Sequence, residues 1–375
     1  MENSRIVQEF LELIRLDVAP RKERVIADVM TKKLRELGCT VWEDDAAAKV
    51  EGDTGNLYAV LEGQLEGSVL FSAHLDRLVT EKPIEPRIEG EKIVSSGTIL
   101  AADDVAGLVG ILEGLRRIVE SGRPHPRIEV LLTVCEELTI LGSRYCDYGR
   151  LQSKIAYVLD SPGRLGRVIH KAPSLARLEF TVHGKAAHAG NCPEQGISAP
   201  LAAAKVLTRI PSGRLDFEST ANFSTFQAAC PHTAVNDYAF VQGETRSGSH
   251  QKVEDYIARW EQVCREVEAE TGAKINTQVH HLFRCFDVPR DSLPICVVAR
   301  AFERMGVPLV IEGGGGGMDA NRFNENGIQS VGLATGYFDN HSSFESIYLA
   351  DLERTGEMVE NIVLSYCETT ANQTI

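Results

Sequence analysis

The first half of the sequence alternates helical hydrophobic patterns with short apolar runs of strand length, and this alternation constrains the fold more than any other feature. Helical patterns cover MENSRIVQEFLELIR, a following segment that stops at Gly38, and DVAGLVGILEGLRRIVESG, which stops at Gly122. The runs NLYAVLEG, SVLFSAHLD, RIEVLLTVCEE and IAYVLDSPG are typical of buried strands. This order predicts an α/β domain with a mixed, mostly parallel sheet.

Ionisable side chains follow three of these strands at the point where each one ends. His74 and Asp76 close the second run, Glu136 and Glu137 close the third, and Asp160 lies at the end of the fourth. Open α/β sheets bind ligands in the crevice outside the carboxyl ends of their strands. We therefore expect these side chains to converge on one site.

The pattern changes to strand, helix, two strands, helix and strand from about residue 172 to residue 286, and then returns to α/β. This β-α-β-β-α-β order is typical of a ferredoxin-like α+β unit. A chain of 375 residues is also long enough for two domains. The sequence thus predicts a catalytic domain formed by residues 1–171 and 287–375, interrupted by a lid domain over residues 172–286.

Composition and charge limit the partners that the protein is expected to bind and the cellular compartment in which it is expected to function. The formal net charge of -14, without a compensating cluster of lysine and arginine, disfavours nucleic acid and anionic membrane surfaces as partners. No apolar run approaches the roughly 18 residues needed to span a bilayer, and the N-terminus lacks the pattern of a signal peptide. Nine cysteines without a C-x-x-C pair indicate free thiols in a reducing compartment. These features predict a cytoplasmic protein.

Each polar motif has an ordinary structural explanation when it is taken alone. An H-x-D pair such as His74 and Asp76 also occurs on ordinary surfaces, and Asp103 with Asp104 stands where carboxylates cap helices. A solvated strand end explains the adjacent glutamates, an aspartate before Ser-Pro-Gly forms turns, and a loop histidine such as His341 is commonly exposed without a role. Their joint occurrence at successive strand ends favours a shared site.

Two histidines and three carboxylates form a mixed nitrogen and oxygen ligand set. Such a set suits zinc, with cobalt or manganese as substitutes. Five ligands exceed what one catalytic zinc with an open position requires, but they suit two metal ions that share a carboxylate. The sequence therefore predicts two divalent metal ions per chain.

Eight motifs together resemble the zinc aminoacylase and carboxypeptidase superfamily of metallopeptidases, and within it the peptidase T-like tripeptidases. They follow in order along almost the whole chain: SAHLD, GTILAADDVAG, CEELTILGS, LDSPG, HGKAAHAGNCPEQGISA, TAVN, GGGGGMDAN and NHSSFESI. The resemblance implies that one ion is held by His74, Asp103 and Asp160 and the other by Glu137, His341 and the same Asp103. Asp103 would then bridge the two ions.

The resemblance also assigns roles around the metals. Asp76 would orient His74, and Glu136 would take a proton from the attacking water and return it to the leaving amine. In the lid, His188 of AAHAG matches a histidine that holds the carbonyl oxyanion, although a structural loop histidine is the alternative.

Asn236 of TAVN and Arg246 of ETRS match lid residues that contact the substrate or its carboxylate in relatives. The run Gly313 to Gly317 is predicted to open a helix, whose bare backbone N–H groups would receive an anionic group or let the substrate approach closely. Gly315 and Asn321 of this motif are therefore predicted to bind the substrate, as are His188, Asn236 and Arg246.

The sequence indicates the substrate less clearly than it indicates the metal ligands. Arg246 has the bidentate geometry that suits a substrate carboxylate, but a surface salt bridge explains it nearly as well. The favoured function is a tripeptide aminopeptidase acting on short peptides, with a homodimer formed through the lid. The alternatives are an N-acyl amino acid amidohydrolase or carboxypeptidase on the same scaffold, and a non-catalytic peptide-binding protein.

Overall fold

The computed structural model describes residues 4–371, and these residues divide into two compact units. The first unit comprises the chain up to Ala172 and again from Asp287, and the second comprises Pro173–Phe286. The α-helices are α1 (Arg5–Leu13), α2 (Arg24–Glu36), α3 (Ala46–Val50), α4 (Ala102–Ser121), α5 (Ala199–Arg209), α6 (His250–Thr271), α7 (Leu293–Met305), α8 (Asp319–Glu325) and α9 (Leu349–Ala371).

The strands supply three sheets. They are β1 (Thr40–Glu43), β2 (Leu57–Leu61), β3 (Leu65–His74), β4 (Pro86–Glu89), β5 (Lys92–Ser95), β6 (Pro126–Thr133), β7 (Ile155–Ser161), β8 (Arg167–Ala172), β9 (Ser174–His183), β10 (Gly213–Arg214), β11 (Ser219–Gln227), β12 (Tyr238–Ser247), β13 (Lys274–Phe283), β14 (Phe286–Asp287), β15 (Val310–Gly313), β16 (Gln329–Ala334), β17 (Tyr337–Phe338) and β18 (Ser346–Tyr348).

The central sheet of the first unit has the strand order β1-β2-β6-β3-β7-β16-β8-β14, and β15 pairs with β8. Its middle is parallel, because β3 pairs in parallel with both β6 and β7, and β7 with β16. Antiparallel pairs join β1 to β2, β2 to β6 and β8 to β16. The predicted mixed, mostly parallel sheet is confirmed, and its parallel strands direct their carboxyl ends to one edge.

Helices α4 and α9 pack closely because small residues face the partner helix. A Cβ atom on Gly114 would lie 2.4 Å from the side chain of Val359, and one on Gly356 would lie 2.4 Å from Glu113. Helix α4 is buried along most of its length and ends at Gly122, whose φ of 62° is the left-handed conformation that glycine adopts at helix ends. The start of α4, which carries Asp103, is thereby fixed against the core of the unit.

A small antiparallel sheet with the order β17-β18-β5-β4 was not predicted from the sequence. Its strands have two to four residues, too few to show a clear alternation of apolar and polar positions. Strands β17 and β18 pair directly and bracket residues 339–345, the loop that contains His341. The sheet therefore anchors both ends of this loop.

The second unit has an antiparallel sheet with the order β10-β11-β12-β9-β13. Helices α5 and α6 cover one face of it, and their apolar side chains share a core with those of the strands; Trp260 and Phe180 are among its largest buried residues. Apart from the two-residue β10, the element order is the predicted β-α-β-β-α-β. The expectation of a ferredoxin-like α+β unit is confirmed.

Two observations concern the environment of the chain. Among residues 4–371, none of the helices combines the length and the apolar composition that a bilayer-spanning segment requires. The nine cysteines all lie in this described part of the chain, and all of them are free thiols.

Candidate dinuclear metal centre

The predicted metal ligands meet at the carboxyl edge of the parallel strands. His74 is the last residue of β3, Glu137 lies in a single 3₁₀ turn just after β6, and Asp160 lies near the end of β7. Asp103 stands at the start of α4, and His341 lies in the loop between β17 and β18. The five predicted ligands, which come from five separate segments, therefore lie close together, and those of β3, β7 and the turn after β6 do so because these strands end at one edge of the sheet.

Asp103 lies between the two histidines and turns one carboxylate oxygen toward each. Its Oδ1 is 3.0 Å from Nε2 of His74, and its Oδ2 is 3.3 Å from Nε2 of His341. On the first side, Oδ1 of Asp160 is 3.9 Å from the same His74 nitrogen. On the second side, Oε1 of Glu137 is 3.1 Å from the His341 nitrogen. This is the arrangement expected of a carboxylate shared by two ligand groups.

Asp103 and Asp104 are joined by a cis peptide bond and have different partners. Asp104 is buried, and its carboxylate accepts the backbone N–H of His74 at 3.1 Å and that of Gly107 at 3.1 Å. Its ligand atom nevertheless lies within 4.8 Å of those of His74 and Asp160, as the atoms of His74, Asp103 and Glu137 do among themselves. The helix-capping explanation therefore fits Asp104, whereas Asp103 faces the histidines.

Asp76 connects His74 to the glutamate turn. Its Oδ1 lies 3.4 Å from Nδ1 of His74, and its carboxylate accepts the backbone N–H groups of Glu136 and Glu137 at 2.9 and 3.1 Å. The sequence predicts that His74 and Asp76 both lie on strand β3. The strand ends at His74, however, and Asp76 lies just beyond it. The backbone carbonyl oxygen of Asp76 is closer still to Nδ1 of His74, at 3.0 Å. Asp76 thus orients the histidine through its backbone and its carboxylate, and the carboxylate fixes the turn that carries both glutamates.

The histidines of the cluster attract protons. Burial would lower the pKa of His74, but hydrogen bonds to Asp103 and Asp76 outweigh it and raise the pKa well above its usual value. Hydrogen bonds to Asp103 and Glu137 raise the pKa of His341 to about 10. Burial, and then the charge of Asp103, raises the pKa of Asp160 to about 8. So much negative charge in a small volume calls for cations, which would replace the protons on these groups.

Three further residues support the ligands and were not singled out from the sequence. The hydroxyl of Tyr337 donates to Oδ1 of Asp160 at 3.1 Å, and the amide of Asn340 donates to Oδ2 of Asp103 at 2.6 Å. Glu345 is 1% exposed, and its carboxylate accepts the backbone N–H groups of Leu100, Ala101 and Asp103, at 2.7 to 3.1 Å. Only proximity to His341 in the motif NHSSFES pointed to Asn340 and Glu345.

A cleft of about 280 Å³ opens beside these ligands. Asp103, Glu136, Asp160 and His341 line it, and so do Gly314, Gly315, Gly316, Gly317 and Met318. The glycine run is a loop between β15 and α8 and not the first turn of a helix, since α8 begins at Asp319.

The two glycine-motif residues predicted to bind substrate differ in their exposure. Gly315 lines the cleft, and a Cβ atom built on it would meet nothing within 4 Å. Asn321 is 1% exposed, and its side chain accepts the backbone N–H of Met318 at 3.1 Å. It is not among the residues that line the cleft. The structure therefore places Gly315, but not Asn321, where it can touch a ligand directly.

The other predicted substrate residues belong to the second unit. His188 is exposed, and its Nδ1 accepts the N–H groups of Gly190 and Asn191, both at 3.1 Å, which leaves Nε2 to donate. The side chain of Asn236 accepts the N–H of Tyr238 at 3.0 Å.

Arg246 lies on β12, and its Nε donates to Glu244 at 2.8 Å, 31% of its side chain being exposed. This ion pair is the contact that the salt-bridge explanation of Arg246 predicts. Recruitment of Arg246 by a substrate carboxylate would therefore require competition with Glu244.

Comparisons with known proteins agree with this geometry. A family model described as a peptidase dimerisation domain matches residues 172–272, and one described as peptidase family M28 matches residues 56–169. The chain is 32% identical over 365 residues to YqjE, an uncharacterised protein of Bacillus subtilis, covering 97% of this chain and 98% of that protein.

Two solved structures match at 97% coverage of this chain and 98% of theirs. The aminopeptidase PepT of Bacillus cereus is 35% identical with a TM-score of 0.90, and a tripeptidase of Staphylococcus aureus is 28% identical with a TM-score of 0.92. Similarity extends over both units, and the family predicted from the motifs is confirmed. The chain belongs to the peptidase T-like branch of the M20 metallopeptidases.

Proposed function

We propose that this peptidase is a two-metal tripeptide aminopeptidase of the cytoplasm. The observation that supports it most strongly is the position of Asp103, whose two oxygens each face a different histidine. The two similar solved structures are those of an aminopeptidase and a tripeptidase. Nine free thiols are consistent with a reducing compartment, and cell fractionation that found the protein outside the cytoplasm would refute that location.

The ligand set fits two divalent ions, with zinc favoured and cobalt or manganese as substitutes. His74, Asp103 and Asp160 would hold one ion, and Glu137, His341 and the shared Asp103 would hold the other. Bound there, such ions would lower the pKa of water and polarise the scissile carbonyl.

Glu136 is placed to move the proton in this reaction. It lines the cleft without belonging to either ligand group, and Asp76 fixes its backbone. Burial, and then the charge of Asp160, raises the pKa of Glu136 well above its usual value, which is the direction that suits a proton acceptor. Its carboxylate would take a proton from the attacking water and give it to the nitrogen of the leaving amine as the peptide C–N bond breaks.

We propose that the second unit serves as a lid and a dimerisation-type domain. The match to a peptidase dimerisation domain over residues 172–272 supports the second of these roles. Within this unit His188 has the tautomer needed to donate from Nε2, because Nδ1 already accepts two N–H groups. A purely monomeric species in sedimentation velocity would refute the dimer.

Replacing His188 with alanine should lower kcat by about 10²-fold or more and change KM much less. A donor to the oxyanion stabilises the transition state more than the bound substrate, and its removal therefore appears in kcat. Steady-state kinetics on one tripeptide measure both constants, with His280→Ala, an exposed histidine of β13, as the control. An unchanged kcat would assign His188 a structural role.

Unblocked tripeptides should be cut after their first residue, and N-acetylated tripeptides and C-terminal amides should be much poorer substrates. The expectation follows if the free amine lies at the acidic metal site and the C-terminal carboxylate is held by Arg246. Arg246→Ala should then weaken hydrolysis of the free tripeptide and leave the amide almost unaffected. Arg259→Ala, which removes an exposed arginine of α6, is the matched control.

The same panel of peptides tests the second candidate function. An N-acyl amino acid amidohydrolase or a carboxypeptidase would use the same metal ligands and differ in the substrate end that it reads. Preferred hydrolysis of N-acyl amino acids, or release of the C-terminal residue from blocked peptides, would replace the aminopeptidase assignment with one of these. Mass spectrometry of the products identifies the bond that is cut.

A further inference from the structure

Arg167 is the only lysine or arginine among the residues that line the cleft of the first unit. It is the first residue of β8, and 27% of its side chain is exposed. Asp103, Glu136 and Asp160 line the same cleft, and they belong to the catalytic centre. The cleft thus contains a fixed positive charge to which neither the metal ligands nor the proton shuttle assigns a role.

The guanidinium group of Arg167 is only partly used by the protein. Its Nε donates to the carboxylate of Glu312 on β15, and one Nη1 hydrogen is directed to the carbonyl oxygen of Pro162. A guanidinium carries five N–H groups, so three of them have no partner among residues 4–371. Glu312 is itself 45% exposed in its side chain, so solvent weakens the ion pair.

The part of the cleft around Arg167 is suited to the apolar carbon atoms that adjoin a carboxylate group in a peptide. Pro162, Ile169 and Met318 line the cleft with apolar atoms, and the neighbouring Gly315 and Gly316 leave open space where side chains would stand. The cleft has a volume of only about 280 Å³, and Arg167 lines it together with Asp103, Glu136 and Asp160. A group held at Arg167 would therefore belong to a residue close to the scissile bond.

We propose that Arg167 is a specificity-determining residue that binds a carboxylate of the peptide substrate. The inference rests on the proposed peptidase function and adds a substrate class to it: short peptides with a carboxylate near the bond that is cut. The carboxylate is either the side chain of an aspartate or glutamate, which leaves the C-terminus to Arg246, or the C-terminus itself, in which case Arg167 takes the role proposed for Arg246. Glu312 competes for the same guanidinium and tunes the strength of this interaction.

The test compares wild-type protein with Arg167→Gln on trialanine, trialanine amide, and the tripeptides Glu-Ala-Ala and Ala-Glu-Ala. Loss of a charge-assisted hydrogen bond should raise KM about 10- to 100-fold for peptides with the recognised carboxylate. If Arg167 reads the C-terminus, trialanine will be affected and its amide will not. If it reads a side chain, the glutamate peptides will be affected and trialanine will not.

Two further variants separate recognition from a general effect of charge or folding. Glu312→Gln should lower KM for the same peptides, because it removes the competing carboxylate. Lys171→Gln removes a positive charge from an exposed position on the same strand, outside the cleft, and should leave KM unchanged. Opposite effects of the Arg167 and Glu312 substitutions cannot result from misfolding of either variant.

Equal KM values for wild-type protein and Arg167→Gln on all four peptides would overturn the inference while leaving the peptidase function intact. Absence of hydrolysis by metal-loaded wild-type protein would instead refute the proposed function. In that case calorimetry with the same peptides, on Glu136→Gln and on the double variant Glu136→Gln/Arg167→Gln, decides the inference. A Kd that is the same for both proteins would refute carboxylate binding by Arg167.

Discussion

Replacing Asp103 with alanine is expected to remove bound metal and to reduce peptidase activity to background. Each oxygen of Asp103 faces a different histidine, so the substitution takes one ligand from each of the two groups at once. It also leaves His74, Asp160, Glu137 and His341 without the carboxylate that joins them. Elemental analysis of metal-loaded protein should find two ions per wild-type chain, and chelation of those ions should abolish wild-type activity.

The control for this prediction is Asp291→Ala, which removes an exposed carboxylate from the same unit. This variant should keep both ions and full activity. Circular dichroism of the Asp103 variant checks that its fold is retained, since Asp103 is a buried residue at the start of α4. Two ions in the Asp103 variant would contradict the bridging role, and one ion or none in active wild-type protein would contradict the two-metal site.

The convergence of the ligands was predictable because it depends on the order of elements and not on details of packing. Parallel strands end at the same edge of a sheet, so a histidine at the end of β3, acids just after β6 and an acid near the end of β7 must be neighbours once these strands pair. The pairing of β3 with both β6 and β7 follows the alternation of strands and helices in the sequence. His341 lies in a loop far along the chain, and its place in the site was predicted from its joint occurrence with the other polar residues and from the resemblance.

The supporting residues were not predictable, because their roles arise from contacts between distant segments. Glu345 binds the backbone at Leu100, Ala101 and Asp103, which are more than 240 positions away in the sequence. In the sequence, Glu345 is an acid in a polar loop and cannot be distinguished from a solvated carboxylate. In the structure, the small sheet of β4, β5, β17 and β18 places that loop over the start of α4. The strands of that sheet are too short for periodicity to reveal them.

The residue types of Asp103 and Asp104 do not show which of the two caps α4 and which faces the histidines, and only the tertiary structure distinguishes them. Both are aspartates at a helix start, and either one can cap α4 by its residue type. In the structure, Asp104 accepts backbone N–H groups from His74 and Gly107, and Asp103 faces the two histidines. Arg246 is the opposite case, because its ion pair with Glu244 is local and joins two residues that are two positions apart on β12.

Replacing Glu136 with glutamine is expected to lower turnover by at least about 10²-fold and to leave the metal content unchanged. Glutamine has nearly the same shape as glutamate, but its amide cannot take a proton from water and deliver it to the leaving amine. The side chain of Glu136 lines the cleft and belongs to neither ligand group. The substitution therefore removes the proton shuttle without removing a metal ligand.

Glu137→Gln is the matched control, because the two glutamates are adjacent and Asp76 holds the backbone N–H of each. Oε1 of Glu137 lies 3.1 Å from Nε2 of His341, and the substitution should weaken the ion bound on that side. The pair of variants thus separates catalysis from metal binding at neighbouring positions. Glu136→Gln should keep two ions and lose turnover, whereas Glu137→Gln should lose an ion together with turnover. Wild-type turnover in Glu136→Gln would mean that another group moves the proton. Loss of metal from Glu136→Gln would make Glu136 a ligand, and the assignment of the two glutamates would then have to be exchanged.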